Sequence, residues 1–206
     1  MRRLIIIIAI LFWTLFAHAQ KSIFFCPYLT AAPSGGLYDS TAGFTSWAAS
    51  HASFTAYQVN APDCTRNGVQ LTEDSTASVS HYFQYTLTTS ITAASHTFTL
   101  YAARTIGTRN VELTVYSSAY SQSAYVGANP TTCANSGLAA TVTGTYTSPS
   151  ATYTAVSSAW CKIALTFTVA TSDTGVVLIT DLTSAALPSY SGDGASSLGI
   201  WGVDFR

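Results

Sequence analysis

Glu73 and Glu112 are the only glutamates in a chain of 206 residues. A glycosidase built on paired carboxyls would need both of them, or one of them with an aspartate. Nucleophilic catalysis has less to draw on. Serine is abundant and His51, His81 and His96 are present, but no Gly-x-Ser-x-Gly elbow sets a nucleophile on a sharp turn, and nothing ties these groups into a triad. Catalysis is not expected. Among the aspartates, Asp63 and Asp193 stand in Pro-Asp and Gly-Asp-Gly contexts that first of all favour turns. Calcium takes carboxylate and carbonyl oxygens, and no Asp-x-Asp-x-Asp cluster is present. No cofactor is expected; a structural calcium with Asp204 as a ligand is carried as a subsidiary expectation.

Sugar recognition fits the composition better. Aromatic residues make up 13% of the chain, and a ring face can stack on the C–H surface of a sugar while polar groups bond its hydroxyls. Tyr101, Arg104, Glu112 and Tyr116 are the candidate ligand-binding residues, because alternation puts them on the polar faces of neighbouring segments. In HTFTLYA, Phe98 and Leu100 oppose Thr97, Thr99 and Tyr101; in VELTVYS, Val111, Leu113 and Val115 oppose Glu112, Thr114 and Tyr116. A period of two is the mark of a half-buried strand. CKIALTFTVA, HYFQYTLT, GVVLITDLT and LGIWGVDFR read as further strands, separated by turn chemistry such as Ser172-Asp173-Thr174-Gly175 and Ser191-Gly192-Asp193-Gly194. The Ser- and Thr-rich stretch 124–158 reads as a long hairpin or surface loop. No sustained helical period is present, so the expected fold is all-β, an antiparallel sandwich of jelly-roll type.

MRRLIIIIAILFWTLFAHAQ has a basic start, an apolar run and an Ala-His-Ala cleavage site, and is read as a signal peptide over residues 1–19. One domain, 20–206, is expected to follow, secreted, periplasmic or at the cell surface, with no membrane association after cleavage. Loss of Arg2 and Arg3 leaves few, scattered cations and no basic stripe, which argues against a nucleic-acid partner. Cys26, Cys64, Cys133 and Cys161 are an even set in an exported chain and are expected as disulfides. Three pairings are open; Cys133 with Cys161 and Cys26 with Cys64 is preferred, since each closes a loop of moderate length.

With the strands in place, four segments carry a resemblance: Ala61-Pro62-Asp63-Cys64-Thr65 with Leu71-Thr72-Glu73-Asp74 and His81-Tyr82-Phe83-Gln84; Thr97 to Arg104; Ala159-Trp160-Cys161-Lys162-Ile163; and Tyr190-Ser191-Gly192-Asp193-Gly194 followed by Ile200-Trp201-Gly202-Val203-Asp204-Phe205. Together they resemble the jelly-roll, carbohydrate-binding-like modules of phage tail fibres, head spikes and related phage and bacterial surface proteins. The match runs from residue 44 to 206. It departs where Cys64 replaces a turn glycine and Cys161 replaces an aromatic residue. The resemblance implies that the closing segment is a strand inside the sandwich, with Gly202 allowing a bulge or close approach, that Trp160 and Trp201 serve packing, and that His81 makes a structural hydrogen bond. It also implies a non-catalytic glycan-binding or adhesion module whose partner is a glycan or cell-surface polysaccharide. The alternative is an assembly domain of a phage-like fibre or surface appendage, which would form a homo-oligomer; a carbohydrate-active enzyme stands third.

Overall fold

The computed structural model describes residues 38–39, 44, 46–184 and 189–206. The strands in chain order are β1 (Tyr38–Asp39), β2 (Ala48–Ser50), β3 (Ala52–Val59), β4 (Gly68–Glu73), β5 (Val79–Thr86), β6 (Ser95–Ile106), β7 (Asn110–Tyr116), β8 (Ser123–Asn129), β9 (Ala134–Asn135), β10 (Thr141–Thr143), β11 (Thr147–Ala155), β12 (Cys161–Thr168), β13 (Val177–Thr183), β14 (Ser189–Tyr190) and β15 (Ser197–Phe205). They form two antiparallel sheets. One runs β11-β12-β6-β15-β4-β3, with β1 also on β15; the other runs β10-β8-β7-β13-β5-β14, with β2 on β5 and β9 on β8. The chain is therefore an all-β, two-sheet sandwich, as its alternating segments predict.

The alternation decides what lies between the layers. Phe98 and Leu100 of β6, Ile163, Leu165 and Phe167 of β12, and Leu198, Ile200, Val203 and Phe205 of β15 meet Val111, Leu113 and Val115 of β7, Phe83 of β5, and Leu178 and Leu182 of β13 in one core. Trp47, which the sequence leaves unassigned, joins it, with its ring 4.4 Å from that of Phe83.

β15 lies in the middle of its sheet, between β6 and β4. Its register against β6 shifts between Trp201 and Asp204, and Gly202 there has φ +58°. This is a bulge at a glycine in the left-handed region. It puts an extra residue between Trp201, which faces outward, and Val203, which reaches the core. The turn before β15 is held by Asp193, whose Oδ1 accepts the N–H groups of Ala195 (2.8 Å) and Ser196 (2.6 Å).

Behind that turn, Glu73 is fully buried and accepts two bonds from Arg109, Nε to Oε2 at 2.8 Å and Nη2 to Oε1 at 2.7 Å. Asp193 N–H (2.7 Å) and the Tyr190 hydroxyl also donate to Glu73. A buried ion pair of this sort is retained only when the remaining lone pairs are satisfied, as here. Glu73 is therefore a structural anchor, which ends its candidacy as half of a catalytic pair. His81 donates from Nδ1 to the His51 carbonyl at 2.7 Å, the structural bond expected of it.

Cys133, beyond β8, is bonded to Cys161 on β12, with Cα atoms 5.2 Å apart. The bridge ties the two sheets together at one edge and matches the preferred pairing. Cys64 is disulfide-bonded as well; its expected partner Cys26 lies outside the described residues, as does the leader at 1–19. Cys64 has φ +64°, so it occupies the left-handed position that a turn glycine ordinarily takes.

The 124–158 stretch is not a plain loop. It supplies most of β8 and all of β9, β10 and β11, strands of both sheets. Its inward positions are small: Ala124, Val126 and Ala128 are fully buried.

Candidate functional site

β6 and β7 are consecutive, but they do not pair. The connection at Gly107 (φ +79°) carries the chain from one sheet to the other, and β6 pairs instead with β12 and β15. The four candidate residues therefore part company. Tyr101 lies on the outer face of its sheet and is only 4% exposed. It packs edge-on against Trp201 at 5.0 Å, in a small apolar cluster with Ala61, Ala103 and Trp160. Trp160 donates from Nε1 to the Asn60 carbonyl at 3.1 Å, and a Cβ on Gly199 would come within 3.3 Å of its ring and 3.0 Å of Val59. The packing roles expected of Trp160 and Trp201 hold. Arg104, on the same sheet, donates to the carbonyls of Thr108 and Arg109 and to Asn129 Oδ1. It lines a separate cavity of about 570 Å³ with Arg66, Gln58, Asn60 and Gln70.

Glu112 and Tyr116 remain together on the outer face of the other sheet. The register places side chains there in rows. Gly127 of β8, Glu112 of β7, Asp181 of β13 and Tyr82 of β5 are successive cross-strand partners. The next row is Tyr125, Thr114, Ile179 and Gln84. Over these rows lies a cavity of about 500 Å³, lined by Ser80, Tyr82, Gln84, Glu112, Tyr116, Tyr120, Ile179 and Asp181. Tyr120 has φ +55° in the turn after β7 and is 56% exposed; its ring lies 5.3 Å from that of Tyr116.

The floor of this cavity is acidic. Glu112 is 7% exposed and Asp181 6%. Directly opposed residues on adjacent strands have Cβ atoms about 5 Å apart, so the two carboxyls are near neighbours. Thr114 Oγ1 donates to Glu112 Oε1 at 2.9 Å. Burial raises the Glu112 carboxyl above the ordinary range, against that hydrogen bond. Burial, and then the charge of Glu112, raise the Asp181 carboxyl well above it. Tyr116 is raised too, by burial first and then by Asp181 and Glu112.

Sequence reasoning missed Asp181, Tyr82, Gln84 and Tyr120. Tyr82 and Gln84 were available from the alternation of HYFQYT, which turns them outward. Asp181 is masked by its strand, where Val177 and Ile179 face outward and Thr180 inward.

Asp204, the residue expected as a calcium ligand, lies on β15 beside the chain end. Among the described residues no three His, Cys, Asp or Glu side chains gather as metal ligands, and Asp204 Oδ2 accepts from Arg206 Nε at 2.6 Å.

No protein-family model matches the chain, and no curated protein matches it. Solved structures do align with it. An arabinose-bound GH51 α-L-arabinofuranosidase aligns over 86% of this chain and 26% of its own, at 11% identity and TM-score 0.51. The CBM22-1 xylan-binding domain of Paenibacillus barcinonensis Xyn10C aligns over 85% and 96%, at 14% identity and TM-score 0.47. The enzymatically active domain of tailspike protein 4 of bacteriophage CBA120 aligns over 85% and 21%, at 11% identity and TM-score 0.46. The chain thus spans about a quarter of the arabinofuranosidase. At 11% identity the likeness to the arabinofuranosidase is one of fold.

Proposed function

We propose that this protein is an exported, non-catalytic glycan-binding module that takes a saccharide in the cavity on the outer face of the β5-β13-β7-β8 sheet. The observation that carries this reading is the lining itself. Three tyrosines, an amide, a serine hydroxyl and two carboxyls converge on one face, with rings to stack on sugar C–H surfaces and oxygens to take hydroxyl protons. Export is supported by the leader-like first residues and by cysteines joined in disulfides.

Binding is favoured over hydrolysis by the placement of the acids. Glycoside hydrolysis needs one carboxyl protonated and one ionised, flanking the scissile bond. Glu112 and Asp181 instead sit side by side on the cavity floor, and both are pushed toward the neutral form. The assembly reading would call for a broad apolar patch. Among the described residues the large exposed apolar side chains are Ile106 and Tyr120, which belong to opposite faces.

A glycan array probed with the purified protein and with Tyr116→Ala tests the proposal. Selective wild-type binding that the substitution removes supports it. Silence across the array, or binding indifferent to Tyr116, overturns it.

A further inference from the structure

The cavity is built more narrowly than a neutral sugar requires. Among the described residues its lining contains no Lys, Arg or His. Arg109, just before β7, is turned away into its two bonds with Glu73 and lies 4.3 Å from the centre of the Tyr190 ring. The titratable groups around the acid pair are Tyr116 on β7, Tyr82 on β5, Tyr125 on β8, Tyr120 in the turn and Tyr190 on β14. None of these can carry positive charge. Glu112 Oε2 is buried and, among the described residues, has no hydrogen-bond partner, and the residue directly across the strand is another buried carboxyl.

Two acids thus share a floor with no counter-charge, in a site ringed by tyrosine faces. Buried anions in that position are costly unless something positive joins them. The described lining itself supplies no positive group, so the proton takes that part, consistent with the raised Asp181 and Glu112 carboxyls. An ammonium group can take the same place, and the electron-rich ring faces favour a cation further.

Resting on the saccharide reading above, we infer that the cavity selects a cationic amino sugar. Its free ammonium sits against Glu112 and Asp181 while Tyr82, Tyr116 and Tyr120 pack on the ring. Binding exchanges a proton for the ammonium, and the displaced proton passes to the buffer. A neutral sugar offers hydroxyls to the same oxygens but leaves the pair without a counter-charge.

The test is calorimetric titration in mildly acidic buffers of different ionisation enthalpy. The probes are a fully de-N-acetylated glucosamine tetramer, its N-acetylated counterpart and a xylose tetramer. The glucosamine tetramer is expected to bind at least about tenfold tighter than the N-acetylated one. It should release up to about one proton per site. Asp181→Asn should abolish both the preference and the release, and Glu112→Gln, which preserves shape, should do the same; a thermal melt confirms that each is folded. Equal affinity for all tetramers, still dependent on Tyr116, overturns the cationic inference and leaves the saccharide reading standing. Failure of every tetramer overturns both. Calcium binding that Asp181→Asn abolishes, without a preference among tetramers, assigns the pair to a metal ion and also overturns the inference.

Discussion

The two outer faces of the sandwich use aromatic residues in opposite ways. Over the β12-β6-β15 face, Tyr101, Trp160 and Trp201 close on one another and on Ala61, and the Trp160 N–H is satisfied by a backbone carbonyl. Over the β5-β13-β7 face, Tyr82, Tyr116 and Tyr120 stand around a cavity whose floor holds a carboxylate oxygen without a partner among the described residues. The first arrangement is a second, smaller core, with its surface removed from water. The second holds its rings apart over a buried acid pair, and that open, polar-floored space is what distinguishes a site from packing. Ring content alone would not have separated them.

Substitutions on each face should separate stability from binding. The largest effect is expected from Trp201→Ala, which empties the centre of the small core and should cost about 3–5 kcal/mol in urea unfolding, with ligand affinity unchanged in the fraction that remains folded. Comparable loss of binding in this variant would mean that the two faces are coupled. Next, Tyr116→Ala with Tyr120→Ala should weaken saccharide binding by about tenfold or more while stability changes by no more than about 1 kcal/mol, because Tyr120 is largely exposed. A large stability loss there would move these rings into the packing class.

A smaller effect, of opposite sign, is expected from Asp181→Asn, which should stabilise the ligand-free protein near neutral pH. The sign follows from linkage. The folded state holds the Asp181 proton more tightly than the unfolded chain, whose value is near 3.8. Its contribution is therefore favourable below the unfolded value and is lost as pH rises through the folded one. Asp193 works the other way: the side-chain and backbone hydrogen bonds from Ser196, with that from Ala195, hold its carboxyl below the usual range. Its contribution is present above the unfolded value and is lost on acidification. Thermal melts of wild type and Asp181→Asn across the range from acidic to neutral pH should diverge progressively; parallel curves would remove the argument. The smallest change is expected from Tyr101→Phe, with saccharide affinity unaltered, since that residue lies under the other face. A loss of binding would restore Tyr101 to the site.

Much of the fold is legible in the sequence because β5, β6, β7, β12, β13 and β15 each bring a run of outward and inward residues that only a strand can sort. Strand pairing is not legible in the same way. The short link through Gly107 is a crossing between layers, so Tyr101 and Glu112, both on outward faces, end on opposite sides of the molecule. β8 escaped notice because its core positions are filled by Ala124 and Ala128, whose small side chains give little apolar contrast. Two residues of the candidate site were visible for the same reason that the strands were: Glu112 and Tyr116 interrupt a regular apolar period. Asp181 was hidden because its neighbours on the outward face are apolar and an inward neighbour is polar. It became recognisable only when the register set it beside Glu112.

The central position of β15 also has a consequence for how this protein comes into being. Its partners β4 and β6 are synthesised long before it, and each keeps an edge waiting for the strand that belongs between them. Sheet closure through β15 therefore cannot be completed until Phe205 has been made. Contacts so distant in sequence form slowly, so this sheet stays open until its last strand arrives. A polypeptide terminated ahead of Ser197 would keep two unpaired edges facing an empty slot, the arrangement most prone to capture a strand from another molecule.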